Sequence, residues 1–316
     1  MAQFEQHALY PGNKVPLFIS AGVLKEPAQL EAFMTIEDTS AVPVLNLGNF
    51  TVSKWAGNAE PGQTDFVYYP ESRTAGNARG LPNPGEPGIE ALRETVRVLS
   101  DHGIKTIISV TNLPHERPID VIPKLVASAA EIKPTAIEVN LSCPNGKKED
   151  GTFHPLLCND ADASGQVMEA ARREAGDNVC LGAKDAPHVN SLEERVDEEV
   201  INDLVDSIKE YLDFITGINT IGNQPFPEIV CAGGRGGMSG PVVADVAKQH
   251  LKIWRGLAPD LAYLSCGGVE SSNAEVEIAE RLRLGALLVG GAQEFYRRQP
   301  HVVAAEWAIK YAAKVI

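Results

Sequence analysis

No CxxC pair and no cluster of cysteine with histidine occurs in this sequence. Its five cysteines, Cys143, Cys158, Cys180, Cys231 and Cys266, are odd in number and widely spaced. Neither a disulfide framework nor a structural zinc site is expected, and the setting reads as reducing and cytoplasmic. The N-terminal "MAQFEQHALYPGNK" has no apolar core, and no apolar run approaches membrane-spanning length. A signal peptide and a membrane span are therefore not expected, and the protein reads as soluble. Positive charge is scarce: 28 Lys and Arg against 42 Asp and Glu leave a formal net charge of −14. General binding to nucleic acid or to an anionic membrane needs a basic face and is not expected. A local basic pocket for a phosphate or carboxylate is compatible with that balance. Short repeats, low-complexity tracts and obvious linkers are missing too, and the carboxylates show no pairing typical of glycoside hydrolases.

What the chain does contain is a recurring pattern. Eight short apolar runs rich in Val, Ile and Leu appear: "VPLFISAG", "AVPVLNLG", "KTIISVTN", "TAIEVNLS", "VCLGAKDA", "DFITGINT", "LAYLSCGG" and "GALLVGG". Each is about strand length, and most are separated by helical patterns such as "IEALRETVRVLSDHG", closed by Gly103. Runs apolar on both faces fit a parallel sheet buried on both sides. A doubly wound open sheet is the rival. The first strand-turn lacks GxGxxG, however, and nearly every run ends in polar residues. Those features favour an α/β fold of the (β/α)8 TIM barrel type, a single domain over residues 1–316, with its site at the C-terminal strand ends. Two connections, roughly 48–88 and 142–160, are too long for mere linking and read as active-site loops.

The residues at the strand ends suggest the chemistry. "GGRGGMSGP" and "SCGGVESS" each precede a helical pattern, and glycines there let backbone N–H groups approach an anion. Either they cap tight turns or, two at consecutive strand ends, they form a phosphate site. Lys184, in "LGAKDAP", either meets an anion or an electron-rich ring or is a solvated strand-end lysine. Lys25 follows the first run. Asn77, Asn140, Asn145 and Asn219 all lie near strand ends, where carboxamides suit a ring with alternating C=O and N–H edges, or merely a turn. Cys143 sits beyond a strand end in "NLSCPN" with no histidine near in sequence, so it reads as a general base rather than a protease-like nucleophile. Cys180, Cys231 and Cys266 read as small buried hydrophobes, and His154 and His188 as surface residues.

From about Pro16 to Pro300, these stretches resemble the dihydroorotate dehydrogenases, in particular their soluble cysteine-using class. "NLSCPN" is similar to the family's substrate loop, "GNARGLPN" to its N-x-x-G-L-P-N stretch, and "GINTIGN" to its Asn-Ser/Thr pair. "GGMSGP" and "CGGVES" are similar to its two FMN-phosphate loops. The resemblance implies an FMN-dependent barrel that oxidises dihydroorotate to orotate in de novo pyrimidine biosynthesis. Cys143 would take the C5 proton while C6 gives a hydride to flavin N5. It further implies substrate binding by Asn77, Gly80, Leu81, Asn140, Asn145, Asn219 and Thr220. Ala21, Gly22, Lys25, Asn140, Lys184, Gly237, Met238, Ser239, Gly240, Gly267, Gly268, Ala292 and Gln293 would hold the cofactor. No metal is implied.

The chain also departs from the family pattern. "NLGNFT" stands where the cysteine class carries Thr-Lys-Ser, so Lys25 in "AGVLK" becomes the candidate replacement lysine. Gly62 stands where an arginine is usual, and "GGAQEF" replaces a Gly-Thr pair. The implied electron acceptor is fumarate, or NAD through a partner subunit. With no amphipathic stretch before the barrel, a membrane quinone is not expected. A homodimer is implied. The alternatives are a related FMN pyrimidine reductase for uracil- or thymine-like rings, and a non-redox phosphate-binding barrel.

Overall fold

The computed structural model describes residues 2–12, 14–25, 30, 33, 44–144, 146 and 154–315. Its strands are, in chain order, β1 Leu17–Leu24, β2 Val44–Phe50, β3 Phe66–Tyr69, β4 Thr74–Asn77, β5 Lys105–Val110, β6 Ala136–Asn140, β7 Cys180–Lys184, β8 Phe214–Gly217, β9 Ile221–Pro225, β10 Arg235–Ser239, β11 Ala262–Cys266 and β12 Leu288–Gly291. Eight of these close into a barrel in the ring order β1-β12-β11-β8-β7-β6-β5-β2. Every pairing around the ring is parallel. The eight apolar runs of the sequence are these eight strands, and the barrel is the (β/α)8 type.

The alternation of side chains along each strand divides the core into two layers. Ile108, Ile137, Val139, Leu181, Ala183 and Ile215 face the surrounding helices, where they meet Leu125, Val126, Met168, Leu204 and Leu251. Phe18, Val44, Ile107, Ala136, Phe214, Leu264 and Leu288 fill the barrel interior at one end, closed below by Phe4 and Leu9. Two residues further along the same strands the interior turns polar: Ser20, Asn46, Ser109, Glu138 and Thr216 are all buried. An apolar plug under a polar upper layer puts the chemistry at the C-terminal strand ends.

Helices Pro118–Ile132, Ala161–Ala175, Glu198–Ile208, Ala244–Leu257 and Ala274–Arg283 lie between successive strands. Their starts are locally encoded. Asp197 accepts from the N–H groups of Glu199 and Val200, and Asp160 from that of Ala163, satisfying donors the helix itself leaves unpaired. The pattern read as one helix over "IEALRETVRVLSDHG" is two segments, Glu86–Ala91 and Arg93–Asp101, with Gly103 at φ 69° after the second. Among the described residues, no helix is long and apolar enough to cross a membrane.

A second sheet lies outside the barrel. The insertion after β2 supplies β3 and β4, and the insertion after β8 supplies β9 and β10. They pair antiparallel in the order β3-β4-β10-β9. Part of the 48–88 connection, read above as loop, is therefore sheet, and "RGGMS" within the glycine-rich stretch is strand β10. Both insertions follow the C-terminal ends of barrel strands, so the small sheet roofs that end of the barrel.

Candidate active site

Two of the cavities at the C-terminal strand ends gather most of the residues singled out in the sequence. The first, about 710 Å³ including its mouth, is lined by Ser20, Ala21, Asn77, Lys184, Asn219, Thr220, Met238, Ser239, Gly240, Gly267, Gly268, Ala292, Gln293 and Tyr296, among others. The second, about 900 Å³, is lined by Cys143 with Trp55, Gly80, Leu81, Asn112, Asn140, His154 and Leu156, among others.

Lys184 ends β7 on the interior face and is only 6% exposed. Its one hydrogen bond among the described residues is to Ser20 Oγ, at 3.4 Å, and no carboxylate lies within ion-pair distance. A buried ammonium with so little compensation calls for negative charge or a polarisable partner in the cavity beside it. The glycines across the cavity are structural requirements. Gly240 has φ 112°, and a Cβ there would stand 2.2 Å from Arg73 O. Gly268 has φ 84°, and a Cβ there would stand 2.5 Å from Ala244 Cα. In the resulting backbone wall Gly240 precedes helix Ala244–Leu257 and Gly268 packs against its first residue. Beside the wall, against the same Arg73 carbonyl, Gln293 Oε1 is buried and has no hydrogen-bond partner among the described residues. These features suit an aromatic cofactor bearing a phosphate.

The cavities communicate through a web of amides. Asn140 Nδ2 donates to Asn49 Oδ1 at 2.9 Å, and Asn140 Oδ1 accepts from Ser142 N at 3.1 Å. Asn219 Nδ2 donates to Ser142 O at 2.8 Å and reaches Asn140 Oδ1 at 3.5 Å. Thr111 Oγ1 donates to Asn140 O at 2.9 Å. The strand end that carries Asn140 thus sits between the Lys184 cavity and Cys143. Asn49 lies in "NLGNFT", the departure noted above, and is buried at the end of β2. It was missed by sequence reasoning, although an asparagine at a strand end is the same signal that marked the other four.

Lys25 Nζ donates to Pro82 O, in the turn that follows Gly80 and Leu81. Burial pushes its pKa down to about 8, with repulsion from Arg79 adding to the fall and attraction to Cys143 opposing it. Lys25, Arg79 and Cys143 therefore share one electrostatic neighbourhood. The Arg79 guanidinium lies 5.0 Å from the Tyr296 ring centre and 5.6 Å from that of Phe66. Gly62, by contrast, is exposed, with nothing within 4 Å of a Cβ placed on it.

The remaining residues singled out in the sequence divide as follows. Asn77, Asn219 and Thr220 line the Lys184 cavity, and Gly80 and Leu81 the Cys143 cavity. Gly22 accepts from the Tyr296 hydroxyl through its carbonyl. Gly237 pairs with Asn77 within the small sheet and does not line the cavity. Asn145 lies outside the described residues.

His188 corrects its reading as a surface histidine: its side chain is 2% exposed, and Nε2 donates to Asp185 Oδ1 at 2.8 Å. Burial lowers its pKa, but the Asp185 carboxylate outweighs burial and the net shift is upward. Such a group stabilises the fold below its unfolded pKa of about 6.5, and that contribution is lost as pH rises through the folded value. His188→Gln is accordingly expected to lower Tm most at pH 6, with the gap to wild type narrowing at alkaline pH. A gap constant from pH 6 to 9 in thermal melts would show instead that His188 stays neutral.

Comparison with known proteins agrees with this geometry. The family model described as Dihydroorotate dehydrogenase matches residues 10–305. A dihydroorotate dehydrogenase (quinone) of Clavibacter michiganensis subsp. michiganensis is 28% identical over 267 residues, covering 81% of this chain and 71% of its own. A dihydroorotate dehydrogenase B (NAD(+)) catalytic subunit of Thermotoga petrophila is 25% identical over 291 residues, covering 92% and 94%. Among solved structures, the dihydroorotate dehydrogenase of Eimeria tenella in complex with ferulenol superposes with a TM-score of 0.71 at 18% identity, covering 94% of this chain and 80% of that one. A barrel whose strand ends carry a buried lysine, a glycine wall and a thiol joined by asparagines, together with a family match over nearly its whole length, makes this chain a member of the dihydroorotate dehydrogenase family of oxidoreductases.

Proposed function

We propose that the enzyme uses FMN to oxidise dihydroorotate to orotate in pyrimidine biosynthesis. The observation that carries this reading is the buried, carboxylate-free Lys184 ammonium at a glycine-walled cavity, linked through Asn140 and Asn219 to the Cys143 cavity. Lys184, Ala21, Met238, Ser239, Gly240, Gly267, Gly268, Ala292 and Gln293 would hold the cofactor. When bound, FMN supplies a two-electron acceptor at N5 for the hydride from substrate C6.

The protein's own groups do the rest. Cys143 takes the C5 proton as general base. Asn77, Asn140, Asn219 and Thr220, with the Gly80–Leu81 backbone, orient the pyrimidine ring. Lys25 and Arg79 give the substrate side a positive field that suits a carboxylate, the role left open at Gly62. That field favours orotate-type substrates over uncharged uracil-like rings. The acceptor in turnover is fumarate, or NAD through a partner subunit, and the protein works as a cytoplasmic homodimer by likeness to the family.

The test is flavin bleaching. Reconstituted protein should be yellow and should bleach anaerobically with dihydroorotate but not with dihydrouracil. A colourless protein that takes up no FMN would sink both redox readings and leave the phosphate-binding barrel. Bleaching by dihydrouracil alone would select the pyrimidine reductase. Reoxidation with fumarate, NAD with candidate partners, and quinone then identifies the acceptor. In the same assay, Lys25→Met is expected to raise KM for dihydroorotate about tenfold or more, on the scale of a lost hydrogen bond to a charged group. An unchanged KM would remove Lys25 from carboxylate recognition.

A further inference from the structure

Lys184 points into the barrel, and the next residue, Asp185, points away from it into a fully buried polar knot. The Asp185 side chain has no exposure. Its Oδ1 accepts from Ala186 N at 2.7 Å and His188 Nε2 at 2.8 Å. Its Oδ2 accepts from His250 Nε2 at 2.9 Å and Trp254 Nε1 at 3.0 Å. Tyr263 in turn donates its hydroxyl to His250 Nδ1 at 2.6 Å. Burial of the carboxylate is outweighed by these partners, so its pKa lies well below the usual carboxylate range.

The knot touches several parts of the site. The Asp185 backbone N–H donates to Thr216 O, and its carbonyl accepts from Asn219 N at 2.9 Å. His250 and Trp254 lie on helix Ala244–Leu257, which follows the Gly240 wall. The Cys158 thiol also reaches Asp185, and Cys158 N donates to Leu141 O, two residues before Cys143.

We propose that Asp185 is a positioning residue that holds Lys184 against the flavin and Asn219 against the substrate loop. The proposal rests on the flavin reading above. A metal held by Cys158, Asp185 and His188 is the rival, since their ligand atoms lie within 4.8 Å of one another. Against it, the carboxylate's four lone-pair directions each already take an N–H donor, and burial keeps the Cys158 thiol protonated.

Asp185→Asn keeps the shape of the side chain but sets an amide N–H₂ against N–H donors. Its charge effect at Lys184 is small by construction. The Asp185 carboxylate raises the pKa of the buried His188 beside it, so replacing that carboxylate also removes what favours the proton on the histidine, and the two charge changes oppose each other. A change in flavin midpoint potential therefore reports where Lys184 sits, not a lost charge. With FMN still bound, the potential is expected to fall. The limiting rate of flavin reduction should drop about tenfold or more, the scale of a small misplacement at a reacting centre. In a Lys184→Met background the same substitution should change that rate less than about twofold, because the group it positions is gone.

An equal loss in both backgrounds, or an unchanged potential, overturns the proposal. So does stoichiometric zinc that copurifies with wild type and is lost on Asp185→Asn. Tyr263→Phe, which removes only the outer hydroxyl, carries the same cycle if Asp185→Asn does not fold, with a smaller loss expected in the same pattern. Wild type that takes up no FMN overturns both this inference and the proposed function. Yellow wild type with an indifferent Asp185→Asn overturns this one alone.

Discussion

Cys143→Ala is expected to bind FMN as wild type does and to lose about 10²–10⁴ of the rate of flavin reduction by dihydroorotate at neutral pH, the usual contribution of a positioned general base. The reason is local. Cys143 lies in the cavity beyond Asn140 and does not line the cavity of Lys184 and the glycine wall, so truncating it leaves the cofactor's contacts in place. Cys143→Ser separates base strength from shape. A hydroxyl ionises far less readily than a thiol, so little of the basic form exists at neutral pH, and this variant should be slow there and recover partly as pH rises. Stopped-flow reduction measured against pH decides the matter. A Cys143→Ala enzyme that reduces its flavin as fast as wild type would remove the thiol from the chemistry. A Cys143→Ala enzyme without flavin would place Cys143 in cofactor binding instead.

The barrel was legible because its strands are buried on both faces and therefore stand out as almost continuous apolar runs, as in "TAIEVNLS" and "GALLVGG". The small sheet was not. Its strands are four or five residues long, and "TAGN" and "RGGMS" carry little strand propensity of their own. They become strands because Ala75 and Ser239, far apart in the chain, are brought into register. The candidate site was legible as residue types at strand ends, the signal that singled out Cys143, Lys184, Asn77, Asn140 and Asn219. Their division between two joined cavities is a matter of three-dimensional packing, and so is the burial of His188. The Asp185 knot draws on residues 188, 250, 254 and 263, each unremarkable in its own segment. Only the pairing of β7 with β8, and the packing of helix Ala244–Leu257 behind them, makes one carboxylate the common acceptor of the first three, with Tyr263 joined to it through His250.

Lys184→Met should have opposite effects on apo-protein stability and on chemistry. In the apo-protein the ammonium is buried with one long hydrogen bond and no carboxylate within ion-pair distance among the described residues, so a methionine of similar length removes a poorly compensated charge from the interior. The expected result is a higher Tm without cofactor, by a few degrees, in line with about 1–3 kcal/mol for an unsatisfied buried polar group. With FMN bound the balance reverses. On the proposed reading the lysine would stabilise the negative charge that reduction brings, so its loss should lower the flavin midpoint potential and slow reduction about 10²–10³-fold, comparable to deleting one preorganised electrostatic donor. Glu138 provides the internal check. It is buried one interior layer below Lys184, with Oε1 near Ser109 Oγ at 2.8 Å and Oε2 without a partner among the described residues. If the apo-protein of Lys184→Met melts below wild type, the Glu138 carboxylate is the lysine's effective counter-charge even beyond ion-pair distance. The lysine would then be built chiefly for the fold. If Tm rises while potential and rate both fall, the lysine is held there at a cost to the fold for the sake of the cofactor, as expected of a residue selected for function over stability.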